Sequence, residues 1–159
     1  MIHKTFFSKI DDDVLKKYKI YNTGERQFDF YLMSYLNSPN GWSQQGYFFE
    51  PISESTKVDI YITLSSSETI MKKCGLPSKL SCAELNGKYL YLNADRWFGG
   101  SKKSKLSLED YREYMVSHEI GHILGHEHKK CPCKGCRAPI MMQQTLGIDK
   151  CIPNINVKG

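Results

Sequence analysis

Four of the chain's five histidines fall in one stretch, His118-Glu119-Ile120-Gly121-His122-Ile123-Leu124-Gly125-His126-Glu127-His128. Its first five residues follow the pattern H-E-x-x-H. On an α-helix, residues i and i+4 share a face one turn apart, so His118 and His122 can offer ring nitrogens to a single Zn²⁺ at ~2.0–2.1 Å. Glu119 is badly placed to ligate but able to reach a water held by the metal. A catalytic zinc site needs a third protein ligand and an open position. On a continuing helix His126 would stand ~12 Å along the axis from His118, too far for one ion. Gly125 offers another route, because glycine takes positive φ at least cost, ends the helix and turns the chain back. The expected ligands are therefore His118, His122 and His128, with Glu119 as general base. His126 is expected to be exposed or to support a ligand.

The helix that must carry these residues is expected over 108–125. Ser107, with Asp110 three residues later, resembles a capping box at its start. Tyr111, Met115, His118 and His122 share one of its faces. Phe28, Leu32, Tyr35 and Leu36 recur at helical spacing and predict a second helix over 26–37, laid on a sheet. Ser38-Pro39-Asn40-Gly41 ends it, and Trp42 is expected to plug the core beside Tyr47, Phe48 and Phe49. Residues 58–64 (VDIYITL) alternate and are β-branched, a strand, with a short helix over 68–73 after it. Asn86-Gly87 is a strong turn signal and predicts a hairpin of 81–85 with 88–93. Its second arm, KYLYLN, reads as an edge strand beside the cleft, able to pair with an extended peptide, or as an interior strand. Near the N-terminus, 17–21 reads as a strand start followed by an Asn22-Thr23-Gly24 turn. Residues 1–16, polar with an Asp11-Asp12-Asp13 run, read as a mobile arm or short helix, leaving 17–159 as one catalytic domain.

A chain of 159 residues fits one domain with one main core. A formal net charge of +5, spread along the chain, argues for solvated loop charge over a nucleic-acid footprint. No apolar run approaches the ~18 residues that span a bilayer. MIHKTFFSKIDDD lacks the apolar core of a secretory signal. Either the protein stays in the cell that makes it or its leader has been removed.

Six cysteines, Cys74, Cys82, Cys131, Cys133, Cys136 and Cys151, allow 15 pairings. One scheme joins Cys74 to Cys82 and Cys131 to Cys151, with Cys133 and Cys136 paired or free. The rival is a second, structural zinc held by Cys131, Cys133, Cys136 and Cys151. An oxidising compartment favours the first, a reducing one the second.

The pattern H-E-x-x-H-x-x-G-x-x-H resembles the metzincin signature. The chain is similar, more narrowly, to an uncharacterised metzincin-like domain family of bacteria. That resemblance runs from about Tyr18 to Asn154. It is carried by Gly41-Trp42, Ser81-Cys82, Asn93, Arg96-Trp97, Tyr111-Arg112-Glu113-Tyr114 and the histidine motif, then Ala138-Pro139-Ile140-Met141, Gln143-Gln144-Thr145, Gly147, Cys151 and Pro153-Asn154. There is also a partial likeness to archaemetzincins, although their later C-x-x-C is missing here. The resemblance implies an α+β zincin-like fold: a twisted mixed sheet, a backing helix, the active-site helix and a short C-terminal subdomain. It implies a methionine in a tight turn beneath the metal, for which Met141 is the first choice. It also implies export and two disulfides, matching Cys74, Cys82, Cys131 and Cys151; Cys133 and Cys136 are additions. Gln143 stands two residues past Met141, so a tyrosine oxyanion stabiliser cannot be carried over.

The implied function is that of a monomeric zinc metalloendopeptidase acting on a peptide or protein, with Glu119 moving the water's proton to the leaving amine. Two rivals are a catalytically inactive zinc- or peptide-binding module and a metal-dependent hydrolase of a non-peptide amide. Retention of Glu119 argues against the first, because a purely structural site needs no base.

Overall fold

The computed structural model describes residues 1–21, 24–75 and 79–159. Strand β1 (Ile2–Ile10) is followed by helices α1 (Asp12–Lys17) and α2 (Gly24–Leu36), then strands β2 (Tyr47–Pro51) and β3 (Ile60–Ser65). Helix α3 (Ser67–Cys74), strands β4 (Cys82–Ala83) and β5 (Tyr89–Asn93), and helices α4 (Ala94–Gly99) and α5 (Leu108–Ile123) complete the regular elements. The sheet order is β2-β1-β3-β5-β4. β1, β2, β3 and β5 run parallel, and β4 alone is antiparallel to its neighbour. The fold is thus mixed α/β with a mostly parallel five-stranded sheet.

The expected N-terminal arm is corrected by this topology. Residues 2–10 form an inner strand, registered against Tyr47–Pro51 on one side and Ile60–Leu64 on the other. Only Phe6 and Ile10 of β1 are fully buried, so its polar residues mask the pattern that normally betrays an inner strand. Residues 17–21 do not start a strand. Asp12 and Asp13 in the first turn and Lys16 and Lys17 in the last complement the dipole of α1, which ends at Lys17. Of the expected turn that follows, Asn22 and Thr23 lie outside the described residues, and Gly24 opens α2.

Helix α2 buries Phe28, Leu32, Tyr35 and Leu36 at the spacing its sequence predicts. It packs on β1, β2 and α5. Trp42 is buried, and its indole N–H donates to the Ser117 carbonyl at 2.9 Å. Phe49 is buried with it, whereas Phe48 alternates to the exposed face of β2. The expected strand over 58–64 and helix over 68–73 correspond to β3 and α3.

The expected hairpin forms with a shorter first arm, 82–83, and a longer loop, 84–88, and its second arm, β5, is interior, between β3 and β4. Leu90 and Leu92 of β5 are fully buried and pack in the main core. The edge next to the cleft is β4. Ser107 Oγ accepts the Asp110 N–H at 3.2 Å and caps α5. Tyr111, Tyr114, Met115, Val116 and Ile120 of α5 join that core. Each buried side chain of this size contributes about 1.5–3 kcal/mol to holding α5 on the sheet. Beyond α5 the chain runs in turns, with one short 3₁₀ turn at Gln144–Leu146.

The cysteines stand in three pairs at disulfide distance: Cys74 with Cys82, Cys131 with Cys151, and Cys133 with Cys136. The first ties α3 to the edge strand β4. No helix among the described residues is long and apolar enough to cross a membrane.

Candidate active site

Helix α5 ends as Gly125 predicts. Gly125 has φ +98°, its N–H donates to the His122 carbonyl at 2.9 Å, and the His126 N–H donates to the Gly121 carbonyl at 2.8 Å. These two bonds form a Schellman closure, which satisfies helix-end carbonyls and turns the chain back. The hairpin turn docks on this end, where the Asn86 N–H also donates to the His122 carbonyl, at 3.0 Å.

The reversal brings His128 to the two helical histidines. One ring nitrogen from each of His118, His122 and His128 lies within 4.8 Å of the other two. His122 Nε2 and His128 Nε2 are 3.1 Å apart. Nitrogens around a tetrahedral Zn²⁺ with ~2.0–2.1 Å bonds sit about 3.3 Å from one another, so this set matches a metal's needs.

The hydrogens on the rings agree with that use. His118 Nδ1 is 2.8 Å from the Ile140 carbonyl, and His122 Nδ1 is 2.8 Å from the His126 carbonyl. A carbonyl can only accept, so each Nδ1 carries the hydrogen and each Nε2 keeps its lone pair for a metal. Burial pushes the His118 pKa down to about 3, against the opposing pull of the Ile140 carbonyl. Burial also lowers His122 and His128. All three are held towards the neutral form that a cation requires. The histidines could hold a metal ion.

His126 is not among them. Its ring stacks on Trp42 with centroids 4.7 Å apart, and its main-chain carbonyl orients His122. Glu119 is buried in the wall of the cavity that the three clustered histidines share, and burial pushes its carboxyl up to about 8. Met141 is buried under the helix, with its sulfur against Gly121. A Cβ at Gly121 would overlap that sulfur and stand 3.1 Å from Trp42 Cζ2.

The cavity, ≈ 220 Å³, lies between two walls. One is Leu80, Ser81 and the edge strand β4; the other is Tyr111, Tyr114 and Met115 of α5 with Gln143 and Thr145. Tyr114, one turn before His118, donates its hydroxyl hydrogen to the Met142 carbonyl at 2.7 Å and accepts the Gln144 N–H at 2.8 Å. Sequence reasoning did not single out Tyr114, Asn86 or Gly121 as parts of the site. The i−4 spacing to His118 could have flagged Tyr114, and a glycine inside the motif helix could have flagged Gly121.

The profile of a family described as "Protein of unknown function (DUF3152)" matches residues 4–157. The chain belongs to that family. No curated protein matches it. Among solved structures, it is similar to archaemetzincin from Methanopyrus kandleri, with a TM-score of 0.52 and 16% identity. That match covers 96% of this chain and 88% of the other. Myroilysin matches at a TM-score of 0.46 and 17% identity over 82% of this chain. The chain spans 46% of myroilysin's length. At such identities the likeness to archaemetzincin is one of fold.

Proposed function

We propose that this chain is a zinc-dependent metallopeptidase of the metzincin type. The observation that carries the reading is the convergence of His118, His122 and His128 in one cavity wall with the buried carboxyl of Glu119. A closed structural site would need a fourth protein ligand, but among the described residues these three stand alone. Zn²⁺ held by the three imidazoles supplies Lewis acidity, acidifying water and polarising a carbonyl.

The chain's own groups do the rest. Burial raises the Glu119 pKa, and among the described residues no hydrogen-bond donor engages its carboxylate. A cation held by His118, His122 and His128 would oppose that rise, and Glu119 would then serve as a base near neutral pH. Glu119 takes a proton from the attacking water as its oxygen bonds to the scissile carbon. It returns that proton to the amide nitrogen as the C–N bond breaks. The carbonyls of Ile140 and His126 keep two imidazoles aimed inwards throughout. Met141 takes the part of the metzincin methionine, filling the space that Gly121 leaves beneath the ligands. An extended peptide substrate lies along the edge strand β4, whose backbone is paired on the β5 side and faces the cavity on the other.

The test is Glu119→Gln, which keeps shape and removes the base. The variant is expected to bind zinc like the parent while hydrolysis of a diverse peptide mixture, read by mass spectrometry, falls by ~10²–10⁴. A zinc-loaded parent that cleaves nothing defeats the proposal in favour of a binding module.

A further inference from the structure

The loop that follows His122 is a partition between two cavities. His128 faces the one just described; His126, Lys129 and Lys130 line a second, of ≈ 430 Å³. Trp42 forms part of its wall, and Arg137 and Lys158 add two more cations from separate segments. No Asp or Glu side chain lines it. Lys129, Lys130, Arg137 and Lys158 are all exposed, and among the described residues none forms an ion pair with an acidic side chain. Arg137 has one engagement, donating to the Gly159 carbonyl at 3.3 Å.

The charge is concentrated here beyond what the chain's composition requires. Residues 126–159 hold six basic side chains against Glu127 and Asp149, a surplus of +4 in a chain whose formal net charge is +5. The other 125 residues are close to neutral. Four like charges around one concavity repel one another, with field lines focused by the low-dielectric walls, so the arrangement favours an anionic occupant.

We infer that this second cavity binds an acidic segment of a polypeptide, at a distance from the bond that is cut. Carboxylates need only the cations, which this cavity supplies from three separate stretches of chain. A nucleic acid would also use aromatic faces as stacking platforms. Here those faces are already taken: Trp42 is buried, stacked on His126 and packed on Gly121. The inference rests on the peptidase reading for its occupant, since His128, in the first cavity, is followed directly in the chain by Lys129 and Lys130, in the second. It extends that reading by naming a substrate class, proteins with a run of Asp or Glu set apart from the bond that is cut.

The experiment uses the zinc-loaded full chain carrying Glu119→Gln, so that binding is read without turnover. Tryptophan fluorescence and calorimetry follow titration with end-blocked oligoglutamate, with oligoglutamine and oligothymidylate as comparisons. Oligoglutamate is expected to bind, with affinity that falls as salt rises. Lys130→Glu with Lys158→Glu should weaken it at least tenfold while zinc content stays at the parent value. Lys16→Glu with Lys72→Glu, the same charge change on α1 and α3, should leave it within twofold. No oligoglutamate binding, an equal loss in both double variants, or tighter oligothymidylate binding each overturns the inference. Cleavage assays on the parent separate the two claims: turnover without oligoglutamate binding sinks only the second cavity's role, and binding without turnover sinks only the peptidase.

Discussion

The hydroxyl of Tyr114 donates to the main-chain carbonyl of Met142 at 2.7 Å, joining α5 to the segment that follows the histidine cluster. The same oxygen accepts the Gln144 N–H, and one turn further along His118 donates to the Ile140 carbonyl. Two side chains of one helix face therefore hold 140–144 in place, and that segment in turn aims His118. Tyr114→Phe removes both bonds, while the Gln144 N–H still donates to the Met142 carbonyl at 2.8 Å, so the cost is about 0.5–1.5 kcal/mol in stability. Loss of an outer partner to a ligand typically costs 10–100-fold in metal affinity, and a drop towards the lower end is expected here. Chelator competition and thermal denaturation measure the two effects. A variant that loses stability but keeps the parent's zinc affinity would show that Tyr114 braces the fold without aiming His118.

Gly121 provides a case in which helix propensity and packing oppose each other. In an exposed helix interior, Gly→Ala gains about 1 kcal/mol. Here the new Cβ would overlap the Met141 sulfur and crowd Trp42, both of them buried. Overpacking of this kind costs about 1–3 kcal/mol, so Gly121→Ala should be net destabilising in urea denaturation. Equal or greater stability would mean that Met141 moves aside freely, and the packing argument would fail.

The histidine cluster was more legible in the sequence than the sheet that supports it. His118, His122 and the cap at Ser107 are placed by helical spacing within one continuous segment, and Gly125 marks its end by φ preference alone. The partners that orient the rings are main-chain carbonyls, Ile140 and His126, which have no residue signature. β1 was misread for a different reason: its neighbours are Tyr47–Pro51 and Ile60–Leu64, far along the chain, and only Phe6 and Ile10 mark its buried face. β5 reads equally as an edge or an interior strand in the sequence, because alternation cannot reveal whether a strand has one neighbour or two.

His126 and His128 differ by two positions and by surroundings: the His126 ring stacks on Trp42, and the His128 ring joins His118 and His122. His126 contributes its carbonyl to His122, and any residue supplies a carbonyl. His126→Ala should retain zinc and lose only the stack on Trp42, about 0.5–1.5 kcal/mol of stability. His118→Ala, His122→Ala and His128→Ala should each lower zinc content, measured by elemental analysis of protein purified without added metal. Zinc lost from His126→Ala and kept by His128→Ala would mean that the reversal at Gly125 does not deliver the third ligand.

Asp95 of α4 sets an acid limit on the fold. Hydrogen bonds from Tyr18, above all, and from Ser67 and Lys17 hold its carboxyl at about 2, against a burial effect of opposite sign. A depressed carboxylate pKa means that the unfolded chain binds the proton more tightly. The stabilisation is therefore fully present above the unfolded value near 4 and is lost as pH falls through the folded value. Asp95 keeps a side-chain exposure of 27%, and it is bridged to a lysine in solvent, so screening leaves about 1 kcal/mol at neutral pH. Asp95→Asn should lower the melting temperature by several degrees at pH 7, and the gap from the parent should narrow as pH falls from about 4 to about 2. The check is calorimetry of both proteins across that range. A gap that stays constant with pH would assign the loss to the missing hydrogen-bond geometry, with no contribution from the charge.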